Sequence, residues 1–245
     1  MSPKRTLATS ARVLRQVSHD HRTLGLLFAV PLILLGLLAW MYHNSPAMFD
    51  HVGPPLLGIF PFVVMFLVTS IATLRERSSG TLERLMTMPI GKLDFLLGYA
   101  LSFGLLAVVQ ATLASLVSVY MYGMDIAGPL WFLLVVALAD AVLGCTLGLL
   151  ASAFARTEFQ AVQFMPAFIL PQVLLCGLLM PLSQLPTALR WVADCLPLTY
   201  AVDAMTRLST EVAVSARTYG DVGIVLAFAI VAILYGSATL RRSTK

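Results

Sequence analysis

The sequence predicts an all-α membrane protein with six transmembrane helices, and three observations carry that expectation. Of 245 residues, 59% are hydrophobic and only 11% charged, with a mean hydropathy of +0.88, whereas a soluble domain carries about a quarter charged residues. The charges stand in clusters separated by long uncharged stretches, as spans and loops require. All of the 16 Lys and Arg except Arg190, Arg207 and Arg217 fall on one side of the resulting topology, and cationic residues accumulate on the cytoplasmic side.

The spans follow from length. Crossing a hydrocarbon core of roughly 30 Å takes about 20 apolar residues, and six stretches satisfy this: 24–42, 52–74, 95–122, 126–155, 159–182 and 222–240. The third and fourth are longer than needed, so tilt is expected. Charge asymmetry places both termini in the cytoplasm, together with the 75–94 loop. Trp40, Trp131 and Trp191, with Tyr42, Tyr120 and Tyr122, then collect at the opposite edge, where amphipathic rings favour the headgroup level. The first span exceeds a usual signal-peptide apolar region and no small-x-small cleavage site follows it, so a retained anchor is expected.

Residues 1–23 read as a surface helix. Leu7, Ala11, Leu14 and Val17 recur at helical spacing and Arg5, Arg12 and Arg15 take the remaining face, which suits the cytoplasmic interface beside anionic lipid. A frayed basic tail would carry the same charges. In the 75–94 loop, Ser78 and Ser79 can cap a helix start and Pro89 disfavours its continuation. Between them Leu82, Leu85 and Met86 form one stripe, with Glu83 and Arg84 facing elsewhere. Such a helix can enter a partner's groove or rest on the bilayer. Spacing leaves both open.

After the fifth span, Pro186 and Pro197 each suit the first turn of a short helix. Eleven residues of helix reach roughly 16 Å, about half the core, so these pieces dip in as a re-entrant hairpin over 183–210 or lie flat on the outer surface. At membrane depth, Asp140 in the fourth span and Gln110 in the third are costly polar groups. They either bond to one another across adjacent helices or line a transport path, and Gln163 and Gln172, near Pro166 and Pro171, are further lining candidates in the fifth span.

Several functions are excluded. No GxxxxGK[ST] loop is present, since Gly91-Lys92 is followed by Leu93, so the chain should not hydrolyse ATP itself. No span contains a histidine and no HExxH occurs, which argues against an intramembrane protease. The three cysteines follow no ligand spacing, so no metal is expected. The sequence shows neither a carbonyl filter nor a ring of like charge, which weighs against a passive pore without removing it as an alternative. The +4 net charge is explained by topology and implies no nucleic acid.

ERSSGTLERLMTMP after the second span, and LPTALRWVADCLPLTYAVDAMTRL after the fifth, resemble the type-2 ABC exporter permeases, in particular the daunorubicin-resistance-like drug exporter branch. The resemblance covers essentially the whole chain. It implies a cytoplasmic coupling helix over 76–89, assigned to Glu76, Arg77, Gly80, Thr81, Leu82, Glu83, Leu85 and Pro89, docked on a separate ABC ATPase subunit. It implies extracellular re-entrant helices around Pro186, Trp191, Pro197, Tyr200 and Arg207. It further implies a second permease subunit, identical or not, contact with membrane lipid, and ATP and Mg bound by the partner rather than by this chain. The expected function is export of a drug or lipid across a bacterial cytoplasmic membrane, with multidrug export and antibiotic resistance as its setting. Export of a lipid-linked glycan is the alternative and, from a different class, a passive membrane pore.

Overall fold

The computed structural model describes residues 3–78, 92–155 and 157–239. Among them are nine α-helices and no strand: α1 (Pro3–His19), α2 (His21–Met41), α3 (Pro46–Ser78), α4 (Lys92–Tyr120), α5 (Leu130–Phe154), α6 (Glu158–Leu175), α7 (Thr187–Asp194), α8 (Pro197–Thr210) and α9 (Ala216–Thr239). The protein is multi-pass. Five of these helices, α2, α3, α4, α5 and α9, are long and apolar enough to cross a membrane, rather than the six that the apolar stretches predict. The fifth expected span corresponds to α6, which stops at Leu175 instead of reaching 182 and dilutes its apolar residues with Glu158, Gln160, Gln163 and Gln172 in 18 residues.

Boundaries move for local reasons. Helix α3 begins before the apolar run and continues through Ser78, and the helix start expected at Ser78 and Ser79 lies outside the described residues. Pro54, Pro55 and Pro61 lie inside it, which neighbouring elements make tolerable in an apolar bundle. Helix α5 starts at Leu130, and the stretch before it is a loop held by Asp125 N–H donating to Asp50 Oδ1 at 2.8 Å and Gly128 N–H donating to the Leu208 carbonyl at 2.9 Å. Proline opens both short helices, with Pro186 as the N-cap of α7 and Pro197 at the first position of α8. Its fixed φ suits a helix start and its missing N–H costs nothing there.

The core is centred on α3 and α5. Phe62 and Phe66 of α3 lie buried with Leu133, Val136 and Leu143 of α5, and Leu198, Val202 and Met205 of α8 close the same cluster. Contact is closest at Gly144 and Gly148, where a built Cβ would stand 2.3 Å from the Phe62 carbonyl oxygen and 2.4 Å from that of Phe66. Gly144-x-x-x-Gly148 is thus the small-residue seam that lets two membrane helices approach backbone to backbone. A second cluster joins Val13 and Val17 of α1, Leu27 of α2, Met65 of α3 and Tyr99 and Phe103 of α4.

Helix α1 leads directly into α2 through Asp20, which caps α2 by accepting from Thr23 N–H at 3.1 Å and Thr23 Oγ1 at 2.6 Å. Those two bonds, the hydroxyl one foremost, hold the Asp20 carboxyl below its ordinary pKa. Because the folded pKa is depressed, the cap contributes above the ordinary carboxylate range and is lost as pH falls through the depressed value. Asp20→Ala is expected to cost about 1 kcal/mol at neutral pH and progressively less on acidification. Thermal unfolding in detergent at pH 7 and pH 3 reads both, and an equal loss at the two values would refute the assignment.

Candidate functional site

The expected site residues fall into three places. The first is the end of α3 that leads into residues 79–91. Of the coupling segment, Gly80, Thr81, Leu82, Glu83, Leu85 and Pro89 lie outside the described residues, as does the side chain of Arg77. Glu76 is described. It sits in the last turns of α3, buried, and receives the Arg12 guanidinium in a bidentate pair: Nη1 to Oε1 at 2.9 Å and Nη2 to Oε2 at 3.1 Å. Arg12 Nη2 also donates to Tyr99 Oη at 3.0 Å, with the guanidinium carbon 6.0 Å from the ring centroid. Burial works against the Arg12 charge, but the Glu76 and Tyr99 contacts outweigh it and raise its pKa. Three helices, α1, α3 and α4, therefore meet at one ion pair.

This pair changes the reading of α1. Its buried stripe is Thr9, Ser10, Val13 and Val17, while Leu7 and Ala11 are exposed. Of the four apolar residues that define the expected stripe, only Val17 is buried within the protein. Gly98 of α4 admits the close approach, since a Cβ there would lie 2.7 Å from Thr9 Cβ, and Ser102 Oγ stands 3.0 Å from both the Ser10 carbonyl and Ser10 Oγ. Near the same end Arg75 Nε donates to Glu158 Oε1 at 2.8 Å, joining α3 to the start of α6, and this bond, against a smaller effect of burial, lowers the Glu158 pKa.

The second place is the opposite end, where α7 and α8 connect α6 to α9. Arg207 pairs with Asp203 one turn earlier and, through Nη1, with Asp221 of α9 at 3.2 Å, while Arg217 Nη2 approaches Asp203 Oδ2 at 3.4 Å. Tyr200 Oη donates to the Asp194 carbonyl at 2.6 Å, joining α8 to α7. Burial first, then Asp194, raises the Tyr200 pKa. Trp191 is 71% exposed, as an interfacial ring would be. Asp203 and Asp221 were not among the expected residues. The i,i+4 spacing of Asp203 and Arg207 on a helix was the available signal; Asp221 had none, being 14 residues from Arg207 on a different helix.

The third place is the middle of the bundle. Asp140 of α5 is fully buried, and neither carboxylate oxygen has a hydrogen-bond partner among the described residues. It faces Gly58 of α3, where a built Cβ would lie 3.3 Å from Oδ2 and 3.6 Å from Met205 Cε of α8. The expected Asp140–Gln110 bond is not formed. Gln110 Nε2 donates instead to the Leu27 carbonyl of α2 at 2.7 Å, because α4 turns Gln110 toward α2 while α5 turns Asp140 toward α3. Gln163 is exposed on α6. Gln172 is buried and lines a crevice of about 500 Å³ between α3, α5 and α6.

Comparison with known proteins agrees with this architecture. The family described as ABC-2 type transporter matches residues 5–209. Among similar proteins, the Dictyostelium discoideum ABC transporter G family member 20 is 29% identical over 166 residues, 67% of this chain and 23% of that protein. The probable multidrug ABC transporter permease YbhS of Escherichia coli is 28% identical over 169 residues, covering 68% of this chain and 45% of YbhS. The linearmycin resistance permease protein LnrN of Bacillus subtilis is 27% identical over 182 residues, 74% of this chain and 47% of LnrN. The chain thus spans less than half the length of each of these relatives.

Proposed function

The chain belongs to the ABC-2 type transporter family, and from that premise we propose that it is the permease subunit of an exporter that moves a hydrophobic or amphipathic small molecule, a drug or a lipid, out across a bacterial cytoplasmic membrane. The family's membrane domain carries no ATPase site, so hydrolysis falls to a separate ABC ATPase subunit, which binds ATP and Mg. The observation that carries the proposal is the family match over 5–209, which takes in both the 76–89 segment and the segment holding α7 and α8.

The physical case is one of force transmission. The 76–89 segment begins in the last turn of α3, the helix at the centre of the core, so a displacement of this segment acts on that core. Glu83, Leu82 and Leu85 are proposed to seat on the ATPase, Leu82 and Leu85 by apolar burial and Glu83 by charge. The α7–α8 pair is proposed as the re-entrant element gating the outer end, clamped to α9 by the Arg207–Asp221 pair. Both termini are proposed cytoplasmic, on the distribution of Lys and Arg, which requires α6 with the residues after it to cross as a sixth span. Assembly is proposed as two permease subunits with two ATPases. A drug cargo is inferred from YbhS, a probable multidrug permease, and LnrN, a linearmycin resistance permease.

Reconstitution in lipid vesicles with its cognate ABC ATPase tests this reading. The complex is expected to hydrolyse ATP faster than the ATPase alone and to move an amphipathic dye across the bilayer. Glu83→Ala is expected to reduce transport per ATP at least about tenfold, the loss of one buried charge-assisted contact, with unchanged thermal unfolding. Absence of any effect of the chain on ATP hydrolysis overturns the reading.

A further inference from the structure

Helix α1 lies along the boundary of the hydrocarbon core, and contacts at both ends fix that depth. At one end Thr9 and Ser10 pack against Gly98 and Ser102 of α4, within the first two turns of its apolar stretch Leu97–Tyr120. At the other, only Asp20 separates His19 from α2. The 21 residues of α2 reach roughly 30 Å, the full core, so α2 begins where hydrocarbon begins. Around its axis α1 has three sectors. Thr9, Val13 and Val17 face the bundle. Leu7, 59% exposed, and the half-buried Leu14 share a second face.

The third sector is an open groove of about 420 Å³ lined by Ala8, Ala11, Arg12, Arg15, Gln16 and His19. Ala8 and Ala11 make its floor, having nothing beyond Cβ. The Arg12 guanidinium is committed to Glu76 and Tyr99, but the exposed Arg15 has no side-chain partner among the described residues. His19 Nδ1 stands 2.7 Å from the Arg15 carbonyl. A carbonyl only accepts, so Nδ1 donates and Nε2 is the ring nitrogen left over. An unpaired guanidinium at headgroup depth matches the oxygens of a phosphodiester, which it can hold with two parallel bonds. Ala11 follows Leu7 by four residues and precedes Leu14 by three, so all three adjoin on the helix surface. An acyl chain leaving the groove therefore runs onto the leucine face. A soluble acidic segment would use the arginine and leave Leu7 bare.

We propose that this groove binds the headgroup of an anionic phospholipid. Arg15 holds the phosphate, the Gln16 amide and His19 Nε2 bond polar headgroup atoms beside it, and Leu7 and Leu14 receive the start of an acyl chain. The groove adjoins the Arg12–Glu76 pair, so a bound lipid braces α1 against the end of α3 that leads into residues 79–91. The site rests on the place of α1 in the membrane and not on the permease reading.

The test requires neither ATPase nor transport, so its failure leaves the permease reading standing, and failed coupling leaves this site standing. The full chain, stripped of lipid in a non-ionic detergent at about 0.15 M salt, is titrated with dihexanoylphosphatidylglycerol. The comparison ligands are dihexanoylphosphatidylcholine, inorganic phosphate and an oligoglutamate peptide. Phosphatidylglycerol is expected to bind at least about tenfold tighter than phosphatidylcholine, which has the same tails without net charge, and than phosphate or the peptide, which have charge without tails. Arg15→Gln and Ala8→Leu are each expected to weaken phosphatidylglycerol about tenfold, the first by removing the charge, the second by filling the floor while every charge stays. Lys4→Gln removes the same charge about 16 Å away along the helix, beyond the ~8 Å screening length, and is expected to change affinity less than about twofold. Equal binding of the two lipids, equal effects of Arg15→Gln and Lys4→Gln, or wild-type affinity in Ala8→Leu would each overturn the proposal. So would phosphate or oligoglutamate binding as tightly as phosphatidylglycerol, which would mark a free anion or an acidic protein as the occupant. Should a variant fail to fold, hydrogen exchange across 8–19 in wild type decides: slowing by phosphatidylglycerol but not by phosphatidylcholine supports the site, and equal slowing refutes it.

Discussion

Gly148→Leu is expected to prevent the bundle from assembling, and Gly148→Ala to destabilise it by about 1–3 kcal/mol. The reason is that the obstructing atoms are backbone. A Cβ at Gly148 would stand 2.4 Å from the Phe66 carbonyl oxygen, and one at Gly144 2.3 Å from that of Phe62. A flexible side chain could turn away, but a helix carbonyl cannot, so α3 and α5 must separate by roughly an ångström. Separation loosens dispersion contacts along the whole seam, and small-residue packing is the main source of helix association where lipid is as apolar as the side chains. The two sites share one seam, so Gly144→Ala and Gly148→Ala are expected to combine non-additively. Gly25 supplies the control. Nothing lies within 4 Å of a Cβ built there, and Gly25→Ala within α2 should stabilise by about 0.5–1 kcal/mol through helix propensity. Thermal unfolding in a mild detergent reads all of these. Indistinguishable behaviour of Gly148→Ala and Gly25→Ala would show that the α3–α5 approach is looser than described.

Arg12→Ala should be the next most damaging change, costing about 3 kcal/mol, and it should cost more than Glu76→Ala. Removing one member of a buried pair leaves the other charge in a medium that solvates it poorly. The two members are not equally buried: the Glu76 side chain is 6% exposed and that of Arg12 34%. After Glu76→Ala the guanidinium can swing on its long stem to water, so a loss of about 1 kcal/mol is expected, in the range of partly exposed pairs. After Arg12→Ala the carboxylate has no such route. The loss should be local as well as global. Hydrogen exchange in α1 is expected to accelerate in both variants, because Thr9, Ser10 and Val13 remain as its anchors against α4 while the Arg12–Glu76 pair to α3 is gone. The exchanged pair Arg12→Glu with Glu76→Arg should recover part of the loss. Equal cost for the two alanine variants, with no change in α1 exchange, would refute the lock. Since residues 79–91 follow α3 directly, the same variants report whether α1 contributes to the coupling proposed for that segment.

Much of the architecture was legible because lipid imposes simple rules. Apolar runs of about 20 residues mark α2, α3, α4, α5 and α9 to within a few residues in most cases. Proline chemistry marks the starts of α7 and α8. Helix α6 was the exception, because its apolar count was read through Gln160, Gln163 and Gln172 to residue 182, whereas the helix stops at Leu175. The rotation of each helix was less legible. Long apolar helices are apolar nearly all round, so periodicity says little about which face looks inward. Gln110 and Asp140 illustrate this: their depth was evident and their partners were not. The Gly144–Gly148 spacing is visible in the sequence as the small-x-x-x-small pattern for close approach, but which helix it meets is set by the fold.

By itself the sequence determined that this chain is a helical membrane protein, where most of its spans lie, and which segments resemble an ABC-type permease, since each depends on local composition and the cost of apolar surface in water. Only the tertiary structure decided that Arg12 meets Glu76 across 64 positions, that Gln110 bonds to Leu27 rather than Asp140, and that three helices enclose a crevice around Gln172. Those outcomes depend on how helices are turned and pressed together, and that is set by glycine seams and individual polar contacts between distant parts of the chain.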